Sequence, residues 1–324
     1  MATPLHPFRV VYKTTSDGLE IDADVYVPAS LATSSSTPNP VLITIHGGAF
    51  MLGSSRMVNE DQIRDCLSRE WVVVSPNHRL CPQVDLLEGP MQDCRDLLAW
   101  IYEGKLEQAL KKSGKESALD MDRVYAMGTS SGGTLALSLG FDVPKPAAAI
   151  YSMYGASNFS DPFWTTPLPH VAAKLPPTLD DTFLNRVFNG PVPITGGVSL
   201  EGQAVGPPDF KDPRQAYALT RIARGKVLDA IFPSKDWDKV DPLRNVSENF
   251  PPTFIVHGGA DTMVPVDLSK ALFARLKECG VRCGMVVVEG EEHTFAAKMK
   301  VGSRTWEMQR EGFEFLEGVV GRGD

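Results

Sequence analysis

Ser130 sits at the centre of Gly128-Thr129-Ser130-Ser131-Gly132, a G-x-S-x-G pattern. A nucleophile raised on a sharp strand-to-helix turn has strained backbone angles, so its neighbours must be small. The bare pattern arises readily by chance. Its weight comes from the apolar run Val124 to Met127 before it and the helical sequence from Thr134 to Leu139 after it. The plain alternative is a tight turn whose serine only caps a helix. A serine hydroxyl also needs a base, and the base needs an orienting acid. His293 follows the apolar run Val286-Val287-Val288 and the loop Glu289 to Glu292. Asp261 closes Phe254-Ile255-Val256-His257-Gly258-Gly259-Ala260-Asp261, just beyond another apolar run. Serine, histidine and aspartate together form a proton relay for acyl transfer. Such a relay requires backbone N–H donors for the oxyanion, and His46-Gly47-Gly48-Ala49 follows the run Val41 to Ile45. Taken alone, His293 reads as a loop histidine and Gly47-Gly48 as a turn leaving a strand. His46 is expected to shape its loop by hydrogen bonding, not to act as the base.

Other residues compete for these roles. Asp241-Pro242-Leu243-Arg244 precedes the strand at Phe254 and so falls at the wrong end of it. Asp267 lies six residues past Asp261 and is expected to open a helix. His257 is expected in or at the end of a strand, and Gly258-Gly259 in the turn that presents Asp261. His6, His78 and His170 have no metal-ligand spacing, no cluster matches a zinc pattern, and no phosphate loop or dinucleotide fingerprint occurs.

The elements that must position these groups alternate. Two strands are expected between Phe8 and Pro28, turning at Ser16-Asp17-Gly18, then a Ser/Thr/Pro-rich loop over 32–40. Val41–Ile45, Trp71–Ser75, Val124–Met127, Ala147–Met153, Phe254–His257 and Met285–Val288 read as buried strands. Helices are expected over 61–70, 92–102, 134–139, 268–279 and 306–319. Strand alternating with helix implies a mostly parallel sheet covered on both faces. The rhythm breaks between Asn158 and Pro252, which hold 14 of the 25 prolines. Two helices fit there, about 179–188 and 213–231. The expectation is a cap inserted at 158–247 in a core of 1–157 and 248–324, because loops this long are usually functional. An ordinary long excursion is the alternative.

The chain has 324 residues, 43% hydrophobic and 22% charged, with a net charge of −8. That length buries a core without disulfides or metals. No basic run supports a nucleic-acid partner, and no stretch approaches the roughly 18 apolar residues of a membrane span. Five cysteines, an odd number without a Cys-x-x-Cys pair, fit reduced thiols in a cytoplasmic protein. No secretion signal is seen, so the sequons at Asn158 and Asn245 and the terminal Arg322-Gly323-Asp324 are read as chance matches.

Together these residues resemble the hormone-sensitive-lipase-like branch of α/β-hydrolase esterases. That branch carries a His-Gly-Gly-Gly loop, matched by His46-Gly47-Gly48-Ala49. It carries a Tyr-Arg-Leu-Ala-Pro-Glu stretch, similar to Asn77-His78-Arg79-Leu80-Cys81-Pro82-Gln83, with Asp93 and Trp100 on the next helix. Its order of nucleophile, acid and base is that of Ser130, Asp261 and His293. Thr129 resembles the subgroup with a Gly-Thr-Ser elbow. The resemblance implies an α/β-hydrolase fold with an inserted helical cap. It implies a cofactor-free carboxylesterase whose oxyanion donors are the amides of Gly48, Ala49 and Ser131, with Gly47 supporting the loop. Ala49 in place of a third glycine would be conservative, since only its amide is used. Phe163, Trp164 and Trp237 are expected to bind an apolar acyl or aryl group. The expected partner is a small-molecule ester, and a homodimer is compatible with the sequence. A lactonase, an acyltransferase or a natural-product releasing hydrolase would use the same triad. A non-catalytic receptor is the reading from another class; receptors of this family lose the histidine that His293 retains.

Overall fold

A computed structural model describes residues 4–29, 38–115, 117–197 and 208–320. Eight strands form one sheet: β1 (Phe8–Thr14), β2 (Glu20–Tyr26), β3 (Asn39–Ile45), β4 (Val72–Pro76), β5 (Leu119–Thr129), β6 (Ala149–Met153), β7 (Thr253–Gly258) and β8 (Cys283–Val288). Their order is β1-β2-β4-β3-β5-β6-β7-β8, and β2 alone runs antiparallel to its neighbours. The connections carry α1 (Glu60–Ser68), α2 (Gln92–Tyr102), α3 (Lys105–Lys112), α4 (Ser131–Leu137), and, after β6, α5 (Pro169–Ala172), α6 (Asp181–Leu184), α7 (Pro213–Ala223), α8 (Val227–Ile231) and α9 (Pro242–Asn245). Then come α10 (Val266–Glu278) and α11 (Arg304–Val320). This is the α/β-hydrolase fold.

The continuous apolar runs are explained by two separate core layers. Val41, Ile43 and Ile45 face Leu97, Leu98, Leu106, Leu268 and Leu272 from α2, α3 and α10. Leu42, Val73, Tyr125 and Val256 face Ile63 of α1 and Phe313 and Leu316 of α11. Side chains alternate across a strand, so a strand covered on both faces must be apolar at every position.

Most expected elements stand within a few residues of their places; four observations differ. β8, expected as a buried strand, is the sheet edge and mostly half-buried, with Val287 exposed. The strand expected at Val41 begins at Asn39, inside the expected 32–40 loop, whose residues 32–37 lie outside the described residues. The helix expected over 213–231 is two helices, α7 and α8. Gly225 separates them at φ 62°, and a Cβ there would lie 2.7 Å from the backbone of Thr165. The helix expected over 179–188 is one turn of α6, capped by Asp180, and then a 3-10 turn, Asn185–Phe188. The terminal Arg322-Gly323-Asp324 also lies outside the described residues. All five cysteines are unpaired. No described helix is long and apolar enough to cross a membrane.

Between β6 and β7 the described residues form short helices and turns. Asp241, fully buried, accepts hydrogen bonds from the amides of Asn158 (2.9 Å) and Phe159 (2.8 Å) and from Leu243 (3.0 Å). Its carboxylate therefore joins the two ends of the segment.

Candidate active site

Ser130 stands at the β5–α4 turn with φ 51° and ψ −122°. A non-glycine residue held there costs of order 1–3 kcal/mol, so the surroundings must fix it. The Ser130 amide donates to Met153 O (2.9 Å), and the Gly133 amide donates to Ser130 O (2.9 Å). The glycines around it are spatial requirements. A Cβ on Gly128 would lie 2.1 Å from Gly132 O, and one on Gly132 would lie 2.2 Å from Ile45 O.

His293 lies in the loop after β8, where the ring of Tyr154 meets it edge-on at 5.0 Å. Two hydrogen bonds join this loop to the one carrying Asp261: Gly259 N to Val288 O (2.8 Å) and Ala260 N to Glu291 O (2.9 Å). A Cβ on Gly258 would lie 2.4 Å from Glu291 O, so a side chain there would push the loops apart. The three predicted side chains meet. His293 Nε2 is 2.9 Å from Ser130 Oγ, and His293 Nδ1 is 2.5 Å from Asp261 Oδ2.

Asp261 has a closed shell of donors. Oδ1 accepts from the amides of Met263 and Val264, both at 2.8 Å, and Oδ2 accepts from His293 and, at 3.1 Å, His257. Burial pushes its pKa up, but His293, His257 and the backbone amides outweigh burial and hold it well below the ordinary carboxylate range. Asp261 is the charged partner in this arrangement.

His257 was expected only as a strand residue. It is buried in β7, with Nε2 3.1 Å from Asp261 Oδ2 and 2.8 Å from Val264 O, and Nδ1 2.8 Å from Ser269 Oγ. A carboxylate and a carbonyl can only accept, so the Nε2 proton is donated to them and Ser269 donates to Nδ1. The His-x-x-x-Asp spacing was the available signal, but sequence does not say which way a strand residue faces. The alternatives fall away: Asp267 is exposed and pairs with Lys270 at 2.8 Å, and Asp241 serves as a staple.

The Gly-Gly loop after β3 runs at positive φ over three consecutive residues, 125° at Gly48, 53° at Ala49 and 63° at Phe50. Ala49 therefore differs from glycine in more than its amide: it holds a left-handed conformation that carries a cost for a residue with a Cβ. Among the described residues, the amides of Gly48, Ala49 and Ser131 donate no hydrogen bond. His46 stacks on His78 at 4.6 Å with both rings buried, and His46 Nδ1 lies 2.8 Å from Gly47 O. Arg79 forks onto buried Asp93 (2.8 and 3.0 Å), which also takes Lys13 at 2.6 Å.

An apolar pocket, partly open to solvent, begins at Ser130 and His293. Ala49, Phe159, Phe163, Trp164, Ile222 and Met263 are among its walls. Trp237 is not; it packs behind Phe159 at 5.8 Å. No group of three or more metal-ligating side chains occurs among the described residues.

A family model described as BD-FAE matches residues 23–155, and one described as the prolyl oligopeptidase family matches residues 226–322. The non-reducing polyketide synthase ausA of Aspergillus calidoustus is 31% identical over 97% of this chain, and the 5-methylorsellinic acid synthase of Aspergillus terreus 29% over 98%. The methylphloroacetophenone synthase of Cladonia uncialis is 30% identical over 95%. The chain spans only 14%, 13% and 13% of these relatives' lengths. Among solved structures, Thermogutta terrifontis esterase 2 phosphoramylated by tabun aligns with a TM-score of 0.62 at 17% identity, covering 98% of this chain and 96% of that one. A Staphylococcus aureus protein of unknown function aligns at 0.68 and 16%, covering 96% and 99%. The chain thus has the α/β-hydrolase fold and is similar to esterases of that fold, a likeness compatible with the hormone-sensitive-lipase-like branch.

Proposed function

We propose that the protein is a serine carboxylesterase working through Ser130, His293 and Asp261. The observation that carries this reading is the unbroken hydrogen-bond path from Ser130 Oγ through His293 to the Asp261 carboxylate, opening onto an apolar pocket. As Oγ attacks the ester carbonyl, its proton passes to His293 Nε2, while Asp261 holds the Nδ1 proton and stabilises the imidazolium. The amides of Gly48, Ala49 and Ser131 receive the oxyanion, with Gly47 supporting the loop; this assignment is favoured by amides without other acceptors and by Ala49 and Ser131 bordering the pocket. His293 then returns the proton to the leaving oxygen or sulfur. Water deacylates Ser130 by the same steps, and no cofactor enters.

Residues 158–247 act as a cap in this reading, since Phe159, Phe163, Trp164 and Ile222 wall the pocket. Apart from His293, the described residues of its lining carry no ionisable side chain. Such a wall selects an uncharged apolar or aryl acyl group of small to medium size. The five unpaired thiols fit a reducing, cytoplasmic setting.

One observation favours a second reading. Nearly the whole chain aligns with a small part of polyketide synthases, two of them named for aromatic products. Release of a finished acyl chain from a thioester needs the same triad and pocket. Two substrate series separate these readings: p-nitrophenyl esters of rising acyl length, and N-acetylcysteamine thioesters of aryl acids. Ser130→Ala is expected to lose on the order of 10⁴-fold or more in turnover on whichever series is cleaved. Equal rates for wild type and Ser130→Ala would remove the mechanism. A competing alcohol or amine that diverts the product marks acyl transfer.

A further inference from the structure

We infer that Arg214 is a positioning residue, tying the segment over the pocket to the loop that carries the oxyanion amides. The inference rests on the esterase reading of the site and adds how that site is kept in shape. Arg214 stands in the first turn of α7, behind the N-cap Asp212. Its guanidinium Nη1 donates to Met51 O (3.2 Å) and Cys81 O (2.6 Å), and Nη2 donates to Gln83 Oε1. A planar fork with several fixed donors can hold separate chain segments at once.

The segments it joins need holding. Residues 48 to 50 are all at positive φ, and two of them are not glycine. Within the loop, the Met51 and Leu52 amides close the turn, both onto Gly48 O at 3.0 and 2.9 Å. Strained backbone persists where its surroundings over-determine it. Here the Cys81 amide donates to Phe50 O at 2.9 Å, and Arg214 grips the carbonyls of both Met51 and Cys81. Gly196 covers the Arg214 stem so closely that a Cβ would lie 2.6 Å from Cδ. The backbone of Gly196 also pairs with Gly53 in both directions, at 2.7 and 3.1 Å. Leu80 N donates to Pro193 O at 2.9 Å. Gly196 and Arg214 thus hold the oxyanion loop from outside, on Gly53 and on the carbonyls of Met51 and Cys81.

The test uses the full chain, with active sites counted by fluorophosphonate titration. Wild-type turnover tests the site reading; ratios of variant to wild type test the tie. Arg214→Met is expected to lower kcat/KM about 10- to 100-fold, mainly in kcat, since losing one oxyanion donor outright costs about 10²–10³. The Ki of an aryl trifluoromethyl ketone, which forms the tetrahedral oxyanion, should rise by a similar factor. Arg214→Lys, a single point of contact, should fall between. Gly196→Ala keeps the arginine but displaces its stem, and should move both quantities in the same direction by less. A folded Arg214→Met with wild-type kcat and ketone affinity overturns the inference, whatever its Tm. If that variant does not fold, unchanged kcat and ketone affinity in both Arg214→Lys and Gly196→Ala overturn it instead.

Discussion

Gly132→Ala isolates the packing of the nucleophile turn against the oxyanion loop. The added methyl would lie 2.2 Å from Ile45 O, 2.5 Å from His46 O and 2.8 Å from His46 C. Those atoms are backbone at the end of β3, so no side chain can swing aside. Carbon contacts ordinarily lie at about 3.5 Å, so the strand end and the turn must part by roughly 1 Å. The displaced residues lead straight into Gly47 and Gly48, so the shift separates the proposed oxyanion amides from Ser130. Misplacement by about 1 Å costs on the order of 10²-fold in rate. Overpacking of this kind also costs about 1–3 kcal/mol of stability. The expected result is a kcat/KM for p-nitrophenyl acetate, per titrated site, lowered about 100-fold, together with a lower Tm by circular dichroism. Gly318→Ala is the control, because its Cβ would meet nothing nearer than Arg282 at 3.5 Å. Wild-type kcat/KM and Tm in Gly132→Ala would refute the close contact on which this reasoning depends.

Two further outcomes follow from buried imidazoles. Burial pushes His46 down to about 3 and His78 down to about 4, so the folded state keeps both neutral while the unfolded chain protonates them near 6.5. The unfolded state then binds more protons, so stability falls as pH drops below 6.5, by up to about 1.4 kcal/mol per pH unit for each ring, until the folded values are reached. Urea melts at pH 7, 6 and 5 should show this slope, and a flat profile over that range contradicts it. At His257, the Asn variant can keep the Ser269 contact but cannot reach Asp261, whereas the Gln variant can reach Asp261. Asn is expected to lower kcat by about 3- to 10-fold, the worth of one net hydrogen bond, and to shift the acid limb of the pH–rate profile. Gln is expected to restore both, and identical behaviour of the two variants rules out a role through the carboxylate.

The elements were legible because their signals are local. The six expected strands are all present; five are buried, since covering on both faces writes itself as an unbroken apolar run, while β8 lies at the sheet edge, mostly half-buried with Val287 exposed. The turn around Ser130 was legible because its backbone admits only small neighbours, which leaves glycines at fixed offsets. The segment 158–247 was legible as a break in rhythm and little more. Phe163 and Trp164 line the pocket while Trp237 stands a layer behind, and composition is the same in either position.

From residue types in order, the sequence alone determined the sheet, the Ser130 turn and the chain order of serine, acid and histidine. Tertiary structure decided which groups touch: His257 on Asp261, Asp241 across the ends of the inserted segment, and Arg214 on the carbonyls of Met51 and Cys81. The reason is range. Patterning is fixed by neighbours a few residues away, whereas each of these contacts depends on where the sheet and the inserted segment bring distant backbone, and the direction of one side chain leaves no periodic trace.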